Sequence, residues 1–407
     1  MSLKPHLRKT NHIASRYLIV TLGLMLISGC LSPIALHKAV VSYNRSINEI
    51  VAHELLLNIA RVRHRHPVKF TAVSSIAATF NFQMSAGATP PLGALTGGQG
   101  LAPVFGGSVS ENPTITIIPL DGEEFNQRVL TPFSEVKFFQ LYQKGTDIGL
   151  LIRLMASELR ADKTGKQEIL QNRPMHGTGY KEFRRQVLHL TALDQSQDLY
   201  IQPIVVEQII TLPAKSMESS ESVINAMEMG YRWIENGDKG TLIRDVVGRT
   251  VISNYEITIL SEEERNDLYL YTNTLPENDI FVDIRPGHEG GEYPFRGVIR
   301  LRPFLAMLGF LALGITEEVE YLVKKDERSG SVRHNPVKTM DVIETSNTQK
   351  NAAFSINYEG KVYSILSGED PQAVWNREAF SLLNQLYELS VDPTEFARPA
   401  PVITISK

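Results

Sequence analysis

A single cysteine, Cys30, in 407 residues means that no disulfide can brace this chain. Its fold must rest on packing, hydrogen bonds and charge alone. A body of this length exceeds what one hydrophobic core usually organises, so two or three subdomains are expected. Acidic and basic residues are evenly mixed, 45 against 41, which argues against a general nucleic-acid binder.

The position of that cysteine matters as much as its isolation. Residues 1–16 carry Lys4, Arg8, Lys9 and Arg16 and no acid. Tyr17–Ile27 is then an 11-residue apolar run, well short of the roughly 20 residues of a spanning helix. Leu26-Ile27-Ser28-Gly29-Cys30 closes it with two small residues and the thiol. This resembles the lipobox of bacterial lipoproteins. The resemblance implies cleavage between Gly29 and Cys30, a diacylglyceryl group on the Cys30 thiol, and a fatty acid such as palmitate on the new amino terminus. Residues 1–29 are then a signal peptide. The alternative is a buried free cysteine in an uncleaved helix. Leu31 and Ser32 follow without the Asp that resembles an inner-membrane retention signal. Outer-membrane delivery, on the periplasmic face, is the implied destination, with the inner membrane as the alternative. Several acyl chains make a lasting anchor, at about 0.8 kcal/mol per buried methylene. Loss of 1–29 leaves 37 basic and 45 acidic residues, a charge of −8.

Hydrophobic periodicity predicts an α+β fold. Residues 30–66 hold a long helix, opened by Pro33 and stopped by Pro67, with Leu36, Val40, Tyr43, Ile47, Val51, Leu55, Ile59 and Val62 on one stripe. That stripe, widened by Ile50, Leu56 and Leu57, is expected to lie in the core. Residues 67–120 read as an extended β-hairpin. Ala78, Phe80, Phe82 and Met84 alternate with polar residues, as do Thr114–Ile117, and a Gly-rich loop from Gly87 to Gly107 lies between. Residues 121–195 form a helical segment, with one helix over Asp147–Leu159, a polar loop from Ala161 to Thr178, and another helix over Lys181–Leu193. Residues 196–325 form a mixed α/β subdomain. There a strand covers Leu199–Leu212, a helix Ser219–Ile234, further strands Thr250–Ile252 and Ile257–Ile259, and a buried core helix Pro303–Ile315. Glu262–Glu264 reads as a solvated turn, and Glu317–Lys325 as amphipathic. Residues 326–390 hold a charged loop, a hairpin turning at Glu359-Gly360 and a helix opened by Asp370-Pro371. An extended tail, 391–407, follows.

Few residues carry a recognisable chemistry. His64-Arg65-His66 is metal-like in type, but alternate spacing on a helix sends the rings apart. Glu123 and Glu124 are adjacent and suit a helix start better than a paired-carboxylate site. Gly97-Gly98-Gln99-Gly100 lacks the Gly-Lys-Ser/Thr ending of a phosphate loop. His288, between Gly287 and Glu289, matches no zinc spacing and reads as a surface turn. No metal, cofactor or catalytic residue is therefore assigned.

Residues 354–390 carry a second resemblance. Tyr358-Glu359-Gly360-Lys361-Val362-Tyr363-Ser364-Ile365 and Ala379–Tyr387 resemble the ending of a family of bacterial envelope lipoproteins with no established activity. Leu55–Arg61 and Glu111–Ile115 are similar to that family too, while Ser367-Gly368-Glu369-Asp370 departs from its aspartate-rich exit. The resemblance implies kinship and no catalytic residue. The expected function is a lipid-anchored periplasmic protein that binds or scaffolds other proteins, or copies of itself, in an envelope complex, without nucleic acid. Two alternatives stand beside it: a pore or export channel built from the 67–120 hairpin, and an envelope hydrolase.

Overall fold

The computed structural model describes residues 31–89, 102–163, 166–213, 220–236 and 239–391. The architecture is α+β, with helices around a seven-stranded sheet and two smaller sheets.

Helix α1 (Leu31–Arg63) is continuous over 33 residues. By its contacts the chain divides within it, between Leu55 and Leu56. In the first unit the stripe is only partly covered: from His37 to Ile50 the described side chains are exposed or half-buried, Val40 being 48% exposed. This corrects the expectation of a core helix along its whole length. In the second unit Leu56, Asn58, Ile59 and Ala60 are fully buried. Asn58 acts there as a surrogate strand residue. Its Nδ2 donates to the Lys69 carbonyl at 2.7 Å, and its Oδ1 accepts from the Lys69 N–H at 3.0 Å. Asn58→Ala leaves both backbone groups without that partner, so it is expected to cost about 2 kcal/mol in denaturant unfolding. An unchanged midpoint would show that water replaces the amide.

The first sheet is the hairpin of β1 (Phe70–Thr89) and β2 (Ala102–Leu120), paired from Phe70↔Leu120 to Thr89↔Ala102 with a bulge between Val73 and Ser75. Both strands run further into the Gly-rich stretch than the sequence predicts. The Gly97–Gly100 cluster lies outside the described residues. Three short helices follow: α2 (Glu123–Leu130), α3 (Glu135–Gln143) and α4 (Ile148–Met155), the last buried at every position.

At Ala156 the chain departs from the predicted helix and becomes β3 (Ala156–Lys163), which pairs with β4 (Lys166–Gln171). On its other side β3 meets β9 (Phe295–Leu301), in a register that joins Ala156 to Leu301. A partner so distant leaves no local signature, so segment 121–195 is not wholly helical. A short 3₁₀ turn, Pro174–His176, then leads into α5 (Thr178–Ser196).

The seven-stranded sheet continues with β5 (Tyr200–Pro213), β6 (Arg232–Asn236), β7 (Lys239–Ser253) and β8 (Asp279–Ile284). Its order is β4-β3-β9-β8-β7-β5, with β6 beside β7, and among the described strands only β7 and β8 run parallel. Strand β8 is buried at all six positions, as a central strand covered on both faces must be. One face packs Ile204, Val206, Val251, Phe281 and Val298 against Tyr255, Ile257 and Leu268. The predicted helix Ser219–Ile234 ends early: α6 (Ser220–Glu228) gives way to β6, which holds Ile234. Ile257–Ile259 is a 3₁₀ turn, not a strand. Glu262–Glu264 is the first turn of α7 (Glu262–Asn273), closed by a capping box between Ser261 and Glu264.

Helix α8 (Phe304–Thr316) is the buried apolar helix the sequence predicts. Residues 317–342 then form neither helix nor strand, so the amphipathic stretch Glu317–Lys325 is irregular. The predicted hairpin is present as β11 (Ala352–Tyr358) and β12 (Lys361–Leu366), joined by an unforeseen third strand, β10 (Ile343–Thr345). Asp370 caps α9 (Pro371–Ser390) through the Gln372 and Ala373 N–H groups.

Candidate functional site

Helices α4 and α5 touch where Gly149 faces Thr191: a Cβ at Gly149 would lie 2.6 Å from Thr191 Oγ1 and 3.1 Å from Asp147 Oδ1. Beside this close crossing lies a polar cleft around the C-terminal end of α5. Its larger part is a cavity of about 1090 Å³, lined by Tyr142, Asp147, Asp194, Arg333, His334 and Glu378. A second cavity of about 510 Å³ shares Gln195, Ser196 and Arg333, and reaches His189, Ser329 and Glu292.

In the larger cavity Tyr142 donates its hydroxyl proton to Asp194 Oδ1 at 2.7 Å. Burial raises the Asp194 carboxyl, the Tyr142 hydrogen bond opposes that, and the charge of Asp147 adds to the rise. Burial, with the Asp194 carboxylate beside it, lifts the Tyr142 hydroxyl well above its ordinary value, so it stays a donor. Asp147 caps α4 by accepting from the Leu150 N–H at 2.9 Å. Three carboxylates with Arg333, His334 and several amides suit a polar or cationic ligand held by hydrogen bonds.

The wall carrying Arg333 and His334 is the irregular strap 317–342, fixed by charges buried beneath it. Glu320 Oε1 accepts from Arg153 at 3.2 Å, from Tyr180 at 2.9 Å and from Thr339 Oγ1 at 2.9 Å. Arg184 lies 3.5 Å away, and Thr339 N–H meets the other oxygen. The two guanidiniums also take strap carbonyls: Arg153 those of Pro336 at 2.9 Å and Val337 at 3.0 Å, Arg184 the same pair at 3.3 Å. Burial pushes Glu320 up, but the arginine charges and Thr339 hold it below the usual carboxylate range. Burial and then Arg184 draw Arg153 down to about 10, still charged at neutral pH. Further along, Gln195 accepts the Arg333 N–H at 2.8 Å and so joins the strap to α5.

The smaller cavity holds the nearest approach to a nucleophile–base pair. His189 Nδ1 and Ser329 Oγ are 3.0 Å apart, both buried. Burial lowers the imidazole to about 4, the Gly290 backbone and the Asp326 charge opposing. Among the described residues no carboxylate hydrogen-bonds the ring, which lies beside Gly290 and 5.2 Å from the Tyr293 ring. A base so weakened, without an orienting acid, suits a structural pair better than acyl transfer.

The residues singled out from sequence fall in several places. Gly29 and Cys30 lie outside the described residues. His64 and His66 do not diverge: Arg65 adopts φ 61°, which ends the helix and stacks the two rings 6.1 Å apart. Each ring nitrogen then meets a hairpin tyrosine at 2.7 Å, His64 with Tyr363 and His66 with Tyr358. Among the described residues no three His, Cys, Asp or Glu side chains gather as a metal site. His288 packs against Tyr255, while its neighbours Glu289 and Glu292 line the smaller cavity. Glu123 and Glu124 sit exposed in the first turn of α2, with Glu124 paired to Arg128 at 2.8 Å.

Asp194, Tyr142, His189 and Arg333 carry no sequence motif. The available signal was Arg184 and His189, standing in an otherwise apolar helix face with Tyr180, Phe183 and Val187. No family model matches the chain, and neither a curated protein nor a solved structure matches it.

Proposed function

We propose that this chain is a lipid-anchored protein of the bacterial envelope with a non-enzymatic binding or scaffolding role. The observation that carries the reading is Leu26-Ile27-Ser28-Gly29-Cys30, placed after a basic start and a short apolar run, with Cys30 the sole cysteine. Among the described residues no helix is long and apolar enough to cross a membrane. The polar cleft around the end of α5 is the binding face in this reading. Its carboxylates and amides suit a polar, positively charged surface group of a protein partner.

Cys30→Ala tests the anchor. The variant is expected to accumulate as an uncleaved precursor that takes up no labelled fatty acid, while wild type is labelled and recovered with outer membranes. Normal processing of the variant would reject the reading. Asp194→Asn combined with Glu378→Gln tests the cleft: proteins cross-linked to wild type in intact envelopes should be lost from the double variant.

A further inference from the structure

Charged residues make up 21% of this chain, yet none occurs in the 41 residues from Phe70 to Ser110. The same stretch contains β1 and the distal half of β2, which among the described strands pair only with each other. We propose that Asn81–Thr89 and Ala102–Ser110 cross a lipid bilayer as one pair of staves in a β-barrel closed by several copies of this chain.

The register carries the argument. Directly paired residues of an antiparallel ladder share a face, and successive residues alternate. Phe82↔Val109, Met84↔Gly107, Ala86↔Phe105 and Ala88↔Pro103 therefore fall on one face, which is wholly apolar. Asn81↔Ser110, Gln83↔Ser108, Ser85↔Gly106, Gly87↔Val104 and Thr89↔Ala102 fall on the other, which is mainly polar, with two glycines, Ala102 and Val104, and carries no charge. That is the lipid-side and lumen-side pattern of a membrane strand. Asn81–Thr89 and Ala102–Ser110 are nine residues each, the length of one tilted crossing at about 9–11 residues. Glu111, the first charge met on leaving β2's apolar stretch, pairs with Phe80. An aromatic residue opposite a carboxylate marks the interface where the crossing ends.

Copy number follows from hydrogen bonding. A lone two-stranded ribbon leaves the outward backbone groups of both strands unpaired, and hydrocarbon offers them no partner. Only neighbouring hairpins from further copies close the ladder. This inference goes beyond the lipid anchor, which would hold such a ring at the membrane without forming its wall.

The test uses the full-length protein in vesicles of phosphatidylethanolamine and phosphatidylglycerol loaded with a self-quenched dye. Wild type is expected to release the dye and to conduct in planar bilayers. Met84→Lys, on the apolar face, should cut release at least tenfold. Ser85→Lys, on the polar face, should keep release and shift conduction toward anions. A second measurement, independent of whether the lysine variants fold, uses Met84→Cys and Ser85→Cys labelled with an environment-sensitive fluorophore. Lipid-borne quencher should reach position 84 and aqueous iodide position 85. Equal quenching at both positions, or no release by wild type, overturns the barrel. A protein without lipid on Cys30 would label there in every sample, which separates failure of the anchor from failure of the barrel.

Discussion

Glu320→Ala is expected to remove about 4 kcal/mol of stability, because it strands two buried guanidiniums. Arg153 and Arg184 are 3% and 1% exposed, and among the described residues Glu320 is the one carboxylate that meets both. Removing it leaves strap carbonyls, hydroxyls and Asn335 as their remaining partners, none of them charged. The expected result is a large drop in the denaturant midpoint and rapid proteolysis within 317–342. Glu320→Gln should lose less, since its amide oxygen still accepts from Tyr180 or Thr339. A midpoint close to wild type for the alanine variant would mean that water enters and solvates both arginines.

The second large effect is a pH dependence centred on His189. Its folded value of about 4 lies below the ordinary 6.5, so between those limits the unfolded chain binds a proton that the folded chain refuses. Stability is therefore full above pH 6.5, falls as the pH drops towards 4, and stops changing on this account below it. The gap corresponds to about 3 kcal/mol at most, less whatever solvent reaches the ring. The groups facing the imidazole include Asp326, Arg328 and Glu292, and burial outweighs their combined charge. His189→Asn keeps a short polar group for Ser329 and removes the titration. Its unfolding free energy should be nearly flat between pH 6.5 and 4.5, where wild type declines. An equal decline in both proteins would place the acid sensitivity in carboxylates elsewhere.

Local pattern made some of this fold legible. The hairpin turning at Glu359-Gly360 and the helix capped by Asp370 were announced by turn and cap chemistry a few residues long. Helix α8 was announced by its composition. What stayed hidden depends on distant partners: β3 reads as helix until β9 pairs with it, and β10 is three residues that become a strand beside β12. The candidate site stayed hidden for the same reason. Asp194, Arg333 and Glu378 come from α5, the strap and α9, and each alone resembles an ordinary surface residue. The stacking of His64 on His66 turned on one backbone angle at Arg65, which helical spacing does not contain.

The strap also ties the integrity of the whole chain to its later part. Arg153 and Arg184 wait for a carboxylate that lies 167 and 136 residues further along. A chain that stops before Glu320, or is clipped within the strap, holds buried positive charge with nothing to answer it. Such a product is expected to be destabilised around Arg153 and Arg184 and not merely frayed at one end. The stability of α4 and α5 is thus tied to a carboxylate that the chain supplies much later.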